Sequence, residues 1–334
     1  MKIDITNHKI MECKFGSQLY GTATPTSDTD YIGVFVPPTE YLLGLDKVEE
    51  VDLSIKDKHE NGKNTANAVD RKFYAIDKFL ALAMQNNPNI LELLFLSTNS
   101  IVYMDDTYKF IMDNYDKFVH AGLKDRFIGY AVSQKHKMVI KTDKFNEMNT
   151  VLDYLEGLNP RMVVALLQED KNFIKIMDDY NKNIKIDQKG YTFCFHDNFL
   201  TVGDINILQN NFVKEAISKI KARIDKATNR TELVLAYGYD VKFGSHLIRL
   251  LLEGKELLET GKLVYPLTYA KEILDIKAGK FTVQEVLDKA EMIENDIRSL
   301  SEKNTLRKTA DYNFINKMLI QIKMKKLFDK SDET

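Results

Sequence analysis

Three features of this 334-residue sequence predict an α+β fold, with a small mixed sheet first and a larger, mainly helical region after it. β-Branched and aromatic runs gather before residue 100, apolar residues recur at helical spacing beyond it, and Gly and Pro number only 15 and 6. So few helix-breaking residues favour helix over loop. Residues 9–15 (KIMECKF) mix alternation with an apolar run and predict a strand. Residues 16–27 (GSQLYGTATPTS) are rich in Gly, Ser and Thr and predict a turn with a short helix. Residues 28–36 (DTDYIGVFV) predict a second strand, which Pro37-Pro38 stops. Residues 46–67 are polar, with Asn61-Gly62 near their middle, and predict an exposed loop or hairpin; 68–75 follow as a third strand. At Ile76 the period becomes helical through Phe79, Leu80 and Ala83, and Pro88 starts a helix over 89–96. Further helices are expected near 105–118, 123–140, 147–156, 160–182, 208–227 and 231–259, with a β-hairpin inserted at 184–204. Pro266 opens another helix, 282–328 holds one or two more, and a charged tail follows. The expected division is a first domain over 1–100 and a helical domain over 101–334.

Composition narrows the classes of function. Formal charge is −2, from 47 basic and 49 acidic residues, which excludes a globally basic nucleic-acid coat while leaving room for a local basic groove. Cys13 and Cys194 are the only cysteines, so neither a disulfide framework nor a cysteine-rich zinc site is available, and buried structural thiols are the default. Residues 1–15 lack a signal-type apolar stretch, and no run approaches the ~20 apolar residues that span a bilayer. A soluble, cytoplasmic protein with no membrane partner is expected. The sequence says nothing of oligomeric state.

The strongest chemical signal lies in the first domain. Phe15-Gly16-Ser17 is followed, after ten intervening residues, by Asp28-Thr29-Asp30. Gly16 permits a tight turn and close backbone approach. Ser17 adds a hydroxyl and an N–H at a helix start, where phosphate oxygens bind well. Asp28 and Asp30, at i and i+2, point to one face of a strand. Two adjacent carboxylates repel unless a cation lies between them, and Mg²⁺ prefers such an incomplete oxygen site. Asp70 is the best-placed third carboxylate, with Asp52 and Asp57 as rivals. The bland alternative is a solvated acidic loop beside an ordinary turn.

A second signal lies in AYGYDVKFGSHLIRLLLEGKELLE (236–259). Lys242, His246 and Arg249 fall at i, i+4 and i+7 and share one helix face. Either a triphosphate meets them, or they are salt-bridged to Asp240, Glu253 or Glu256. Two other basic stretches, Ser133–Lys137 and 214–230, are read first as solvated faces; 214–230 could alternatively track a nucleic-acid backbone.

FGSQLYGTATPTSDTDYIGVFVPP (15–38) resembles the nucleotidyltransferase signature of the DNA-polymerase-β-like superfamily. More narrowly, it resembles the RNA-ligase-associated, polymerase-β-like family of predicted nucleotidyltransferases. FLALAMQNNPNILELLF (79–95) and YGYDVKFGSHLIRLLLEGKELLETGKLVYP (237–266) are similar to two further stretches of that family, and FIGYAVSQ (127–134) more loosely so. The resemblance implies a nucleotidyltransferase core in which Asp28, Asp30 and Asp70 are catalytic and bind metal. Mg²⁺ is the implied cofactor, with Mn²⁺ as substitute. It implies that Gly16 and Ser17 hold the β- and γ-phosphates of a nucleoside triphosphate, ATP among the candidates, and that Lys242, His246 and Arg249 face the same cleft. The implied reaction moves a nucleoside monophosphate to an acceptor hydroxyl and releases pyrophosphate. The acceptor would be an RNA end, in repair or 3′-end addition. The alternatives are nucleotidylation of a protein or small molecule, and a nucleotide-binding module without catalysis.

Overall fold

The computed structural model describes residues 3–25, 27–57, 68–183, 193–225, 233–234 and 236–328. The chain enters through β1 (Lys9–Phe15), makes one helical turn as α1 (Ser17–Tyr20) and returns as β2 (Asp30–Phe35). Then come α2 (Thr39–Leu43), β3 (Glu50–Asp52), β4 (Arg71–Ala75), α3 (Ile76–Met84), α4 (Pro88–Leu91), β5 (Ile101–Met104) and α5 (Asp106–Asp113). The five strands form one mixed sheet in the order β3-β4-β2-β1-β5. Only β2 and β4 run parallel, with Tyr31 beside Arg71 and Gly33 beside Phe73. That register explains Gly33. A Cβ there would lie 2.3 Å from the Phe73 ring, which lies across the bare glycine.

The alternation read from 9–15 sorts β1 into two faces. Met11 and Cys13 are buried with Ile32 and Val34, on the face that α3 and α5 cover. The opposite face carries a small core of Ile5, Phe35, Phe73 and Ala75, closed by Ile3, Val48 and Val51. β5 was not expected. Its four residues, IVYM, have strand composition but sit where the sequence suggested a domain boundary. Of the expected 46–67 loop, 58–67 lies outside the described residues, and the rest contributes β3.

The chain forms two compact units. One comprises residues 1–132, 247–275 and 288–334; the other comprises 133–246 and 276–287. The first unit runs beyond residue 100 because late segments of the chain pack back onto α2, α3 and the loop near Ala121. Lys323 Nζ, for instance, lies 2.5 Å from Asp77 Oδ1, and Ala121 N–H donates to the Arg307 carbonyl.

The remaining elements are α6 (Leu123–Glu156), α7 (Lys171–Asn183), β6 (Cys194–Phe195), β7 (Phe199–Val202), β8 (Ile205–Leu208), α8 (Val213–Asp225), α9 (Val241–Thr260), α10 (Ala270–Lys277), α11 (Val283–Lys303) and α12 (Tyr312–Phe328). The two helices expected over 123–140 and 147–156 are one. The polar stretch between them holds no Gly or Pro to break it. Conversely, 160–182 is divided into a 3₁₀ turn (Val164–Gln168) and α7. Asp170 separates them, its Oδ1 accepting from Asn172 and Phe173 N–H. The expected hairpin is a three-stranded antiparallel meander over 194–208; residues 184–192 lie outside the described ones. The helix expected over 231–259 is interrupted: 233–234 and 236–237 are helical, 231–232 and 235 lie outside the described residues, and α9 begins afresh at Val241, where Asp240 Oδ1 caps it by accepting from Lys242 and Phe243 N–H. The helix expected from Pro266 begins only at Ala270. The second unit has its own core, in which the Phe173 ring packs against Phe193, Phe195 and Tyr154 at centroid distances of 5.7, 6.0 and 5.8 Å. Among the described residues, no helix is long and apolar enough to cross a membrane.

Candidate active site

Gly16 ends β1 and begins the turn. Its φ of 62° and ψ of −131° lie where a side chain is strained, so a glycine is required. Across the β1–β2 pair, Phe15 opposes Asp30. This brings the Asp30 carboxylate over the glycine: a Cβ on Gly16 would lie 3.1 Å from Asp30 Oδ2. The first two parts of the motif therefore meet through backbone pairing. Ser17 opens α1 and is half-buried, and the Gly16 carbonyl accepts from Tyr20 N–H at 3.0 Å to close the turn.

Asp70 arrives by the parallel pairing. Tyr31 N–H donates to the Asp70 carbonyl at 2.7 Å, and Tyr31 is in register with Arg71. One residue back on each chain, Asp70 lies beside Asp30, at the start of the neighbouring strand. Asp28 lies two residues ahead of β2 and is exposed, as is Asp70; Asp30 is half-buried. The donors are all carboxylate oxygens, and two of the three are open to water and phosphate. That chemistry suits a hard divalent cation such as Mg²⁺. Among the described residues, however, no three His, Cys, Asp or Glu side chains close around one point. Of the rivals, Asp52 is held below the usual carboxyl range by Ser54, first through its hydroxyl and then through its N–H at 2.9 Å.

The three cationic residues of α9 have separate surroundings. Exposure falls along their shared face: Lys242 is exposed, His246 half-buried and Arg249 only 4% exposed. Lys242 and His246 belong to the second unit and Arg249 to the first. Arg249 Nη1 donates to Glu92 Oε1 at 2.5 Å and to Glu253 Oε2 at 2.7 Å. The salt-bridge alternative named Glu253 correctly, but the pair is in the core rather than on the surface. Both carboxylates are wholly buried. Glu92 also accepts from the Tyr20 hydroxyl at 2.7 Å, and the Arg249 guanidinium stacks over the Tyr20 ring at 4.3 Å. Burial works against the Arg249 charge, but Glu253, Tyr20 and Glu92 outweigh it and hold its pKa well above the ordinary value. Burial pushes Glu253 up to about 8, with Arg249 pulling the other way.

Sequence reasoning missed Tyr20 and Glu92. A carboxylate inside the apolar run NILELLF was the available signal, because a buried Glu needs a cation or donor. The basic stretches make local contacts. Arg223 pairs with Asp204, Lys221 pairs with Glu156, and Lys219 donates to the Asn206 carbonyl, while 226–230 lies outside the described residues. Lys137 lies over the Phe243 ring. Cys13 is buried, and burial raises its thiol pKa. Cys194 departs from the expected burial: it is half-exposed, with Sγ 3.2 Å from His196 Nε2.

Residues 5–185 match the family model of the RNA repair pathway DNA polymerase beta family. The chain is also 29% identical, over 334 aligned positions, to an uncharacterized 38.9 kDa protein from the nrdC–mobD intergenic region of Enterobacteria phage T4. That alignment covers 94% of this chain and 96% of the phage protein.

Proposed function

Because the chain belongs to the RNA repair pathway DNA polymerase beta family, we propose that it is a metal-dependent nucleotidyltransferase acting on an RNA end. The observation that carries this reading is the Asp30 carboxylate lying against Gly16, with Asp70 beside it across the parallel strands. Asp28, Asp30 and Asp70 would hold Mg²⁺ or Mn²⁺, whose chemistry is to offset charge on the reacting phosphate. The Ser17 hydroxyl and the N–H groups at the turn would bind the β- and γ-phosphates. The acceptor hydroxyl oxygen would attack the α-phosphorus, the bond to pyrophosphate would break, and Asp70 would take the hydroxyl proton. Lys242 and His246 would bind the triphosphate by analogy with the family alone. Arg249, already committed to two carboxylates, is left out of that set.

The test is a transfer assay. Protein is incubated with each NTP labelled at the α-phosphate, Mg²⁺ or Mn²⁺ and a mixed RNA pool, beside Asp28→Asn and Asp30→Asn. Label on RNA that requires both aspartates is the expected result. Undiminished label with either variant refutes the carboxylate assignment. Label on protein or a small molecule moves the acceptor there.

A further inference from the structure

The underside of α1 is gripped at several points, all within the first unit. The Tyr20 hydroxyl donates to Glu92, and the Arg249 guanidinium covers the Tyr20 ring. The Tyr265 ring lies 6.2 Å from that of Tyr20, and the Tyr20 carbonyl accepts from Leu267 N–H at 3.2 Å. Gly21, left-handed at φ 73°, abuts Pro266 so closely that a Cβ would lie 2.6 Å from the proline Cβ. Four residues before Gly21, on the same helical turn, stands Ser17.

Resting on the nucleotidyltransferase reading above, we propose that Arg249 is a positioning residue: held between Glu92 and Glu253, it clamps Tyr20 and so sets the Gly16–Ser17 turn. Three observations support this over direct phosphate binding. First, at 4% exposure and with Nη1 shared between Glu92 and Glu253, Arg249 is buried away from any anion in solvent, although its Nε has no hydrogen-bond partner among the described residues. Second, its guanidinium covers the ring of Tyr20 on α1, and Glu92, to which it donates, also accepts from the Tyr20 hydroxyl. Third, the clamp joins three separate stretches: 15–38 supplies Tyr20, 79–95 supplies Glu92, and 237–266 supplies Arg249 and Glu253. The phosphate-binding turn is too short to hold its own geometry. A single helical turn fixes several dihedrals for few hydrogen bonds and needs outside support. Small misplacement of a group that contacts the reacting phosphate is enough to lose most of a rate.

The test compares wild type, Tyr20→Phe, Arg249→Lys and the double variant, with two readouts. Tyr20→Phe keeps the ring and removes only the hydroxyl bonded to Glu92. In hydrogen exchange, both single variants are expected to speed exchange of the amides in 16–22 at least about tenfold, with β1 and β2 unchanged. In transfer kinetics, measured well below each variant's melting temperature, both are expected to lose about tenfold or more in kcat, with the acceptor KM unchanged. The double variant should be no worse than the poorer single one, because both act through one element. A merely structural role would lower the melting temperature without moving kcat of the folded protein. Unchanged exchange in 16–22 overturns the clamp. So do losses that multiply in the double variant, which would make Arg249 an independent ligand. If wild type transfers nothing to any acceptor, the nucleotidyltransferase reading falls, while the exchange data still decide the clamp.

Discussion

Consider the protein with Glu253 replaced by Gln. Glu253 is fully buried. Its Oε2 accepts from Arg249, and its Oε1 has no hydrogen-bond partner among the described residues. Burial pushes its carboxyl from the ordinary 4.5 up to about 8; Arg249 opposes the rise and Glu92 adds to it. A protonated Glu253 leaves Arg249 and Glu92 as a balanced pair, whereas ionisation leaves a net negative charge in the core. Between 4.5 and 8 the native state therefore holds a proton that the unfolded chain has released. This contribution is fully present below 4.5 and is lost as pH rises through 8. At about 1.4 kcal/mol per pH unit, the loss between pH 5 and 8 is roughly 4 kcal/mol. Gln keeps an oxygen for Arg249 and does not titrate. Urea unfolding of both proteins across this range checks the account. The two should be similar at pH 5, and by pH 8 the variant should be the more stable by several kcal/mol. A difference that stays constant with pH would refute the reasoning, because every other titrating group is common to both proteins.

Glu147 should behave likewise in the second unit. Burial lifts it to about 7 although Gly203 N–H donates to it at 2.7 Å, so wild type should lose stability relative to Glu147→Gln as pH rises from 4.5 through 7. Gly16→Ala should destabilise by about 1–3 kcal/mol through its strained backbone. It should also depress transfer by crowding Asp30, as thermal melting and the labelled-NTP assay would show. Phe173→Ala should cost about 3–5 kcal/mol by emptying the aromatic centre of the second unit, read by denaturant unfolding.

Local chemistry made much of the fold legible. KIMECKF, DTDYIGVFV and the run before Ala75 carry strand composition and stop signals, and each became a strand close to the expected bounds. The helical period from Ile76 gave α3 with Phe79, Leu80 and Ala83 buried as spaced. Misses came where a single capping residue decides the boundary. Asp170 and Asp240 start α7 and α9, but the sequence marks Asp240 only as a salt-bridge candidate and does not single out Asp170. β5 was hidden because four residues are too few to show a period.

The site divides in the same way. The sequence marked Gly16, Asp30 and Asp70 by residue type and spacing alone; what the structure adds is the hairpin pairing that brings Asp30 to Gly16 and the parallel register that brings in Asp70. Arg249 was legible as a cation on a helix face, but its partner was not: Glu92 lies 157 residues away in the sequence. Periodicity reports which side of a helix is apolar, and it is silent about what meets that side. A cation on an apolar face therefore has two physical outcomes, an anionic ligand or a buried carboxylate. Only the long-range partner distinguishes them. Here Glu92 and Glu253 take Nη1 and a tyrosine ring covers the guanidinium, so its charge is used within the core. Any effect of Arg249 on phosphate binding then passes through Tyr20, the last residue of the turn that begins with Ser17.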